Sequence, residues 1–151
     1  MPNFNNTIFG QKAFIIDTEK KLLVLKRSNS KVYNEYWDVP GGKLEQTDTL
    51  LSGITREIKE ETGLKLKRIL AILTTTKFMG LSKDKPIIFR NIYLCETSGK
   101  VVLSEEHSEY KWVSVKEIDK KQFPPDKDFQ QALQLLSVID YGILKPLSQL
   151  V

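Results

Sequence analysis

The sequence predicts an α/β fold built from several strands and two helices. Apolar runs bounded by turn residues recur along the chain, which is typical of strands. Two longer segments instead repeat apolar residues at helical spacing. The 151 residues are 40% hydrophobic and 28% charged, an ordinary globular composition with enough length for a hydrophobic core. We therefore expect one domain spanning residues 1–151.

Three strands are predicted before the first helix. TIFGQKAFII and LLVLKR are apolar runs joined by a charged turn. YWDVPGG is a short aromatic strand that ends at Pro40, because the residue before a proline favours extended geometry. The polar segment SNSKVYNE is predicted to be a loop.

A helix is predicted from about Asp48 to Thr62. Asp48 or Thr47 is expected to cap its N-terminus, and Gly63 to supply the left-handed residue that ends it. On a helical wheel an apolar stripe borders an acidic face. The stripe consists of Leu51, Ile54 and Ile58, and the acidic face of Glu57, Glu60 and Glu61.

Three more strands and a second helix are predicted after the first helix. LKLKRILAILTTTKF and KPIIFRNIYLCET are long apolar runs, and YKWVSV is a shorter one. PPDKDFQQALQLLSVIDYGI begins with two prolines and Asp126 and then places apolar residues near helical spacing, which predicts a helix.

The acidic face of the first helix requires a positive partner. Like charges at these spacings repel by a few tenths of a kcal/mol per pair, and burial beside an apolar stripe increases that cost. Arg56 is one internal candidate. A divalent cation is another, because carboxylates are the ligands that Mg²⁺ and Mn²⁺ prefer. Taken alone, EIKEE also fits a solvated charged helix face.

Residues 42–64 resemble the sequence box of the Nudix (MutT-like) hydrolases. In that pattern a glycine, five residues, a glutamate and seven residues precede R-E-U-x-E-E-x-G-U, where U is aliphatic. The matching residues are Gly42, Arg56, Glu57, Ile58, Glu60, Glu61, Gly63 and Leu64. Asp48 stands where the pattern has glutamate, and a pair with Arg56 is still expected. The order of elements also resembles that family, whose fold is a mixed β-sheet sandwiched between α-helices.

The resemblance implies a metal site and a catalytic site in one cleft. The implied ligands of a Mg²⁺ or Mn²⁺ ion are the carbonyl of Gly41 and the carboxylates of Glu57, Glu60, Glu61 and Glu106. The implied catalytic residues are Arg56, Glu57, Glu60 and Glu106. Either Glu60 or Glu106 is expected to be the general base. Glu105 and Glu109 are close enough in sequence to compete with Glu106.

The resemblance also implies the reaction, which is hydrolysis of a pyrophosphate bond in a nucleoside diphosphate linked to another moiety. A nucleoside triphosphate, normal or oxidised, is the first candidate substrate, and monophosphate and pyrophosphate are the products. Dinucleoside polyphosphates, nucleotide sugars and capped RNA ends stay open. A non-catalytic Nudix-fold domain that senses nucleotides is the alternative, although such domains usually lose glutamates that this chain keeps.

Several residues are expected to contact the substrate. Arg27 and Lys43 are placed to meet phosphates. The base is expected to meet one of Asp126, Lys127 and Asp128, unless Asp126 only caps the second helix. Arg90 and Asn91 face opposite sides of a strand, so one of them is expected to line the pocket. His107, the one histidine, is expected to be a solvated loop residue.

Composition indicates the compartment and the kinds of partner to expect for this protein. The single cysteine, Cys95, excludes an intramolecular disulfide and favours a reducing, cytoplasmic location. No apolar run approaches the length of a membrane span. The formal net charge of +4 is spread along the chain, so no stable nucleic-acid partner is expected. We expect a monomer or a homodimer with a nucleotide-type substrate.

Overall fold

A computed structural model of the chain describes residues 6–28 and 35–144. The predicted loop SNSKVYNE falls almost entirely outside these ranges. The strands are β1 (Thr7–Ile15), β2 (Lys21–Arg27), β3 (Trp37–Asp38), β4 (Gly41–Lys43), β5 (Lys65–Met79), β6 (Ile87–Ser98) and β7 (His107–Ser114). The helices are α1 (Leu50–Thr62) and α2 (Lys127–Val138), and three short 3-10 helices span Val115–Glu117, Lys120–Gln122 and Tyr141–Ile143. Neither α1 nor α2 is long and apolar enough to cross a membrane.

The strands form two sheets. The larger sheet has the order β4-β1-β6-β5, in which β1 and β6 are parallel and the other pairs are antiparallel. The smaller sheet has the order β3-β2-β7 and is antiparallel throughout. With one mixed sheet, one antiparallel sheet and two α-helices, the structure confirms the predicted α/β class.

Strand β1 carries the core on both of its faces. Ala13 belongs to the cluster that packs against α1 through Ile54 and Ile58. Phe14, the next residue, packs on the other side against Phe129 of α2, with ring centroids 5.2 Å apart. A strand buried on both faces reads as a continuous apolar run, which is why it could be located from sequence.

The N-cap of α1 differs from the prediction. Thr49, not Asp48 or Thr47, caps the helix: its side chain accepts a hydrogen bond from the Ser52 amide at 3.0 Å, and the Ser52 hydroxyl accepts one from the Thr49 amide. Asp48 instead accepts a hydrogen bond from the Glu45 amide. Gly63 ends the helix with φ of 71°, as predicted.

Two element boundaries also differ from the prediction. Helix α2 ends at Val138, because Asp140 accepts a hydrogen bond from the Gly142 amide at 2.9 Å and starts a short 3-10 helix. Strand β7 begins at His107 and not at Tyr110, because its first residue pairs with Arg27 at the end of β2.

A partly buried ion cluster joins β6 to the start of α2. The Arg90 guanidinium donates to both carboxylate oxygens of Asp128, from Nε to Oδ2 at 2.6 Å and from Nη2 to Oδ1. Nη2 also lies 3.3 Å from Oδ2 of Asp126, and the Thr76 hydroxyl lies 3.3 Å from Oδ2 of Asp128. Burial tends to raise the pKa of Asp128, but Arg90 outweighs burial and holds that pKa below its usual value.

Asp128→Asn is expected to lower the free energy of unfolding at pH 7 by about 2 kcal/mol, the scale of a lost hydrogen bond between charged groups. Because the folded-state pKa is depressed, the ionised carboxylate stabilises the fold above the unfolded pKa of about 4. That contribution disappears as the pH falls through the folded-state pKa. Urea unfolding should therefore show a difference between wild type and variant that shrinks below about pH 4.

Asp84→Asn is the matched control, because Asp84 is exposed in the segment between β5 and β6. Its effect should stay within about 0.5 kcal/mol at every pH. A difference between wild type and Asp128→Asn that stays constant from pH 7 to pH 3 would contradict the stabilising role of the Asp128 charge.

Candidate active site

An open cleft of about 520 Å³ lies between the C-terminal half of α1 and the segment that enters β7. It is lined by Arg27, Ser28, Gly41, Gly42, Glu57, Glu61, Glu105, Glu106 and His107. A neighbouring part of the same surface is lined by Glu57, Glu60, Glu61, Ser104, Glu105 and Glu106. The structure thus brings together the five residues predicted as metal ligands, along with Arg27. Glu109 instead lies opposite Lys26 in the ladder between β2 and β7.

Arg56 is the internal cation of the acidic helix face. Its Nη2 lies 2.7 Å from Oδ2 of Asp48, which confirms the predicted pair. Its Nη1 lies 2.9 Å from Oε1 of Glu57, 3.5 Å from Glu60 and 3.6 Å from Glu45. The hydrogen bond to Asp48 is the main cause that raises the pKa of the guanidinium. Arg56 therefore stabilises the carboxylates from behind the cleft and is absent from the residues that line it.

The position of the Glu57 carboxylate requires a glycine at residue 42, opposite it. A Cβ atom at Gly42 would lie 2.3 Å from Oε1 of Glu57, so any larger residue there would displace this carboxylate. Burial raises the pKa of Glu57, and the charges of Glu60 and Glu106 add to that effect against the opposing influence of Arg56. The paired glycines after Pro40 thus make room for an acidic side chain.

Glu61 is buried and accepts a hydrogen bond from the Gly41 amide at 2.9 Å. Burial raises the pKa of this carboxyl to about 8, although the Gly41 amide and the Lys12 charge act in the opposite direction. The nearby charges of Glu57 and Glu106 add to the increase. The hydrogen bond to Glu61 comes from the Gly41 amide, and a role for the Gly41 carbonyl in metal binding stays a prediction.

His107 corrects the sequence prediction. It is only 7% exposed and opens β7, whereas a solvated loop position was expected. Its Nδ1 is buried and has no hydrogen-bond partner among the described residues. Burial lowers the pKa of the imidazole, and the charge of Arg27 acts in the same direction. The signal missed in the sequence was the earlier start of β7.

Three of these residues satisfy the geometry of a metal site. Glu61, Glu106 and His107 each offer one ligand atom, and these atoms lie within 4.8 Å of one another. A cation would compensate for the burial of Glu61 and its repulsion by Glu57 and Glu106, which raise the pKa of Glu61, and it would give the unpartnered nitrogen of His107 a partner. The residues present therefore fit a divalent ion. Glu57 and Glu60 lie beside this cluster in the same cleft.

Arg27 keeps part of its side chain exposed at the cleft. Its Nε lies 3.5 Å from Oδ2 of Asp38, and 46% of its side chain is exposed. Asp38 is buried and has a closer partner in Lys12, whose Nζ lies 2.7 Å from Oδ1. Lys12 thus balances most of the Asp38 charge, and the Arg27 guanidinium borders open space.

A second pocket of about 570 Å³ shares Arg27, Gly41 and Gly42 with the cleft. Its remaining lining residues are Ile8, Gly10, Gln11, Lys12, Lys43, Phe78, Met79, Gly80, Leu81, Ile88, Arg90 and Asp126. The lining is mostly apolar, and Arg90 and Asp126 supply a charged pair within it. The cleft and this pocket together form a site with a polar part and an apolar part.

The structure also places the other predicted substrate residues. The Asp126 side chain pairs with Arg90 and makes no capping hydrogen bond, although this residue occupies the N-cap position of α2. Lys127 and Asp128 line a neighbouring cavity that shares Phe78 and Asp126 with the second pocket. Of the pair on β6, Arg90 lines the substrate-sized pocket, whereas Asn91 donates to the Tyr93 hydroxyl at 3.1 Å.

Comparison with known proteins decides the family. The sequence profile of the NUDIX domain matches residues 10–133, which is most of the chain. The chain belongs to the Nudix family. It is accordingly a hydrolase that acts on pyrophosphate bonds, as the sequence predicted.

Relatives of this Nudix hydrolase act on several substrates. It is 26% identical over 121 residues to the 8-oxo-dGTP diphosphatase of Buchnera aphidicola, covering 80% of this chain and 85% of the relative. It is 24% identical over 138 residues to the 8-oxo-dGDP phosphatase NUDT18 of Danio rerio, covering 91% of this chain and 39% of that longer protein.

Solved structures support the fold of the Nudix hydrolase. The MutT protein of Methanosarcina mazei is 26% identical, with a TM-score of 0.66 over 87% of this chain and 94% of that chain. A NUDIX hydrolase from Nitrosomonas europaea is 16% identical, with a TM-score of 0.71 over 96% of both chains. The predicted Nudix fold is thereby confirmed. The catalytic and binding roles of the individual site residues remain predictions.

Proposed function

We propose that this Nudix hydrolase cleaves a nucleoside triphosphate, normal or oxidised, to the monophosphate and pyrophosphate. The proposal depends on one observation: the carboxylate-lined cleft opens into a mostly apolar pocket across shared residues Arg27, Gly41 and Gly42. A phosphate chain in the cleft would leave the nucleoside in the pocket. The Buchnera aphidicola relative named as an 8-oxo-dGTP diphosphatase supports this choice.

Different residues of the chain would have different roles in the reaction. Arg27 lines the cleft and Lys43 lines the adjoining pocket, and both would offset the negative charge of a phosphate chain that extends between them. Water attacks a phosphorus atom, the bond to the bridging oxygen breaks, and Glu60 or Glu106 accepts the proton of the water. Arg56 holds Glu57 in place through the 2.9 Å contact.

A divalent cation, Mg²⁺ or Mn²⁺, is part of the proposal. Glu57, Glu60, Glu61, Glu106 and the Gly41 carbonyl would hold it. When bound, the ion would neutralise charge on the phosphates and make the bound water more acidic. We also propose that residues 1–151 act as one unit in a reducing, cytoplasmic compartment, which the buried thiol of Cys95 supports.

A substrate panel tests the proposed function. The panel contains dGTP, 8-oxo-dGTP, ADP-ribose, diadenosine tetraphosphate and a UDP-sugar, each with Mg²⁺ and with Mn²⁺. We expect the largest kcat/KM for a triphosphate, with monophosphate and pyrophosphate resolved by anion-exchange chromatography. In ¹⁸O-labelled water, the product that carries the label identifies the phosphorus attacked.

Asp126→Asn adds a test of the pocket. If Asp126 contacts the base, the variant should change the ratio of kcat/KM between dGTP and dATP by about tenfold, the effect of one hydrogen bond to a charged group. Higher kcat/KM for ADP-ribose than for any triphosphate would overturn the substrate choice. Nucleotide binding without any turnover would instead indicate a sensing domain.

A further inference from the structure

Three main-chain hydrogen bonds fix the segment that places His107 at the cleft. The His107 amide donates to the Ser104 carbonyl at 3.2 Å, and the Ser104 amide donates to the Glu61 carbonyl at 3.3 Å. The Ser28 amide, at the end of β2, donates to the Glu106 carbonyl at 2.9 Å. The segment that carries Glu106 and His107 is thus attached both to the end of α1 and to the end of β2.

One ring nitrogen of His107 lacks a hydrogen-bond partner among the described residues. His107 is 93% buried, given its exposure of 7%, and its Nδ1 has no partner in the described part of the chain. A buried polar atom without a partner costs about 1–3 kcal/mol. A ligand atom in the cleft would remove this cost, because His107 itself lines the cleft.

The neighbours of His107 identify the kind of ligand. One ligand atom each from His107, Glu61 and Glu106 lies within a 4.8 Å group. Glu61 is as buried as His107, whereas Glu106 is exposed at the mouth of the cleft. Two carboxylates and one imidazole at this spacing suit a cation and not an anion. Arg27, the positive residue in the cleft lining, is not part of the cluster.

We propose that His107 is a metal ligand which, with Glu61 and Glu106, gives this chain a mixed nitrogen and oxygen site that selects Mn²⁺ over Mg²⁺. Mg²⁺ strongly prefers oxygen ligands, whereas first-row transition metals accept imidazole. The inference rests on the proposed function only in locating the cation in the same cleft. It assigns to His107 a role that the carboxylates of the sequence box do not supply.

The single histidine makes the test specific. The chain, without a histidine tag, is labelled with ¹⁵N-histidine, loaded with Mn²⁺ and examined by pulsed electron paramagnetic resonance. We expect a ¹⁵N hyperfine coupling that only a directly bound imidazole can give. His107→Asn should abolish the coupling and weaken Mn²⁺ binding in calorimetry at least about tenfold, while Mg²⁺ binding changes less than about threefold.

Glu105→Gln is the matched control, because Glu105 lines the cleft but lies outside the three-residue cluster. This variant should weaken the binding of Mn²⁺ and of Mg²⁺ to a similar extent and leave the ¹⁵N coupling intact. Bound Mn²⁺ without ¹⁵N coupling in the wild type would overturn the inference, even if His107→Asn failed to fold. Coupling without hydrolysis would preserve the inference and refute the proposed function. No Mn²⁺ binding at all would overturn the inference, whereas the proposed function would fail only if no substrate were hydrolysed with either Mg²⁺ or Mn²⁺.

Discussion

Glu60→Gln is expected to lower kcat for pyrophosphate hydrolysis by about 10²–10⁴-fold, the range for a positioned general acid or base. Glu60 lines the acidic part of the cleft with Glu57 and Glu61, and glutamine neither accepts a proton at neutral pH nor binds a cation as strongly. Its side chain is 60% exposed, so the free energy of unfolding should change by less than about 0.5 kcal/mol. Steady-state kinetics and urea unfolding measure the two effects.

Glu45→Gln is the matched control for this variant. Glu45 is 66% exposed and lies 3.6 Å from Nη1 of Arg56, close to the 3.5 Å of Glu60, but it lies outside the cleft linings. We expect its kcat to stay within about twofold of wild type, since surface changes away from the site have small effects. Equal losses in both variants would show that Glu60 acts only through Arg56.

Gly41→Ala is expected to lower the free energy of unfolding by about 3 kcal/mol, the upper range for overpacking. The added Cβ would lie 2.2 Å from the carbonyl oxygen of Gln11 and 2.9 Å from Cα of Lys12. Both atoms belong to the backbone of β1, which pairs with β4 at this position, so the two strands would have to separate. Thermal and urea unfolding measure the loss.

Gly10→Ala tests whether the cost at Gly41 comes from contact. Gly10 lies on β1 in the same ladder, and an added Cβ there would meet no atom closer than 3.8 Å. Its free energy of unfolding should change by less than about 1 kcal/mol. Similar destabilisation by both variants would mean that the backbone clash at Gly41 is not the cause.

The features that could be predicted from the sequence are those determined by residues close together in the chain. Ile54 and Ile58 are fully buried on α1 as their spacing predicts, and Gly63 ends that helix in the left-handed conformation. The acidic cleft was predictable because three of its carboxylates lie within two turns of one helix. Fixed spacing along a helix determines which side chains share a face, without any knowledge of the tertiary structure.

Other features depend on contacts between distant segments. Thr47, Asp48 and Thr49 all have side chains that cap helices, and the ion pair of Asp48 with Arg56 helps to decide among them. The burial of His107 follows from the pairing of β7 with β2, which extends three residues beyond the predicted strand. The pair of Asp126 with Arg90 joins residues 36 positions apart and needs α2 docked on the sheet.

The cleft is negatively charged, whereas the chain as a whole carries a positive net charge. The protein carries an excess of positive charge, whereas its cleft sets five glutamates against Arg27. At long range the molecule attracts a polyanion, but at close range those glutamates repel it. If the substrate is the proposed triphosphate, we expect it to bind as a complex with a divalent cation, or after such a cation has bound between the glutamates, so that turnover would depend on the concentration of that cation.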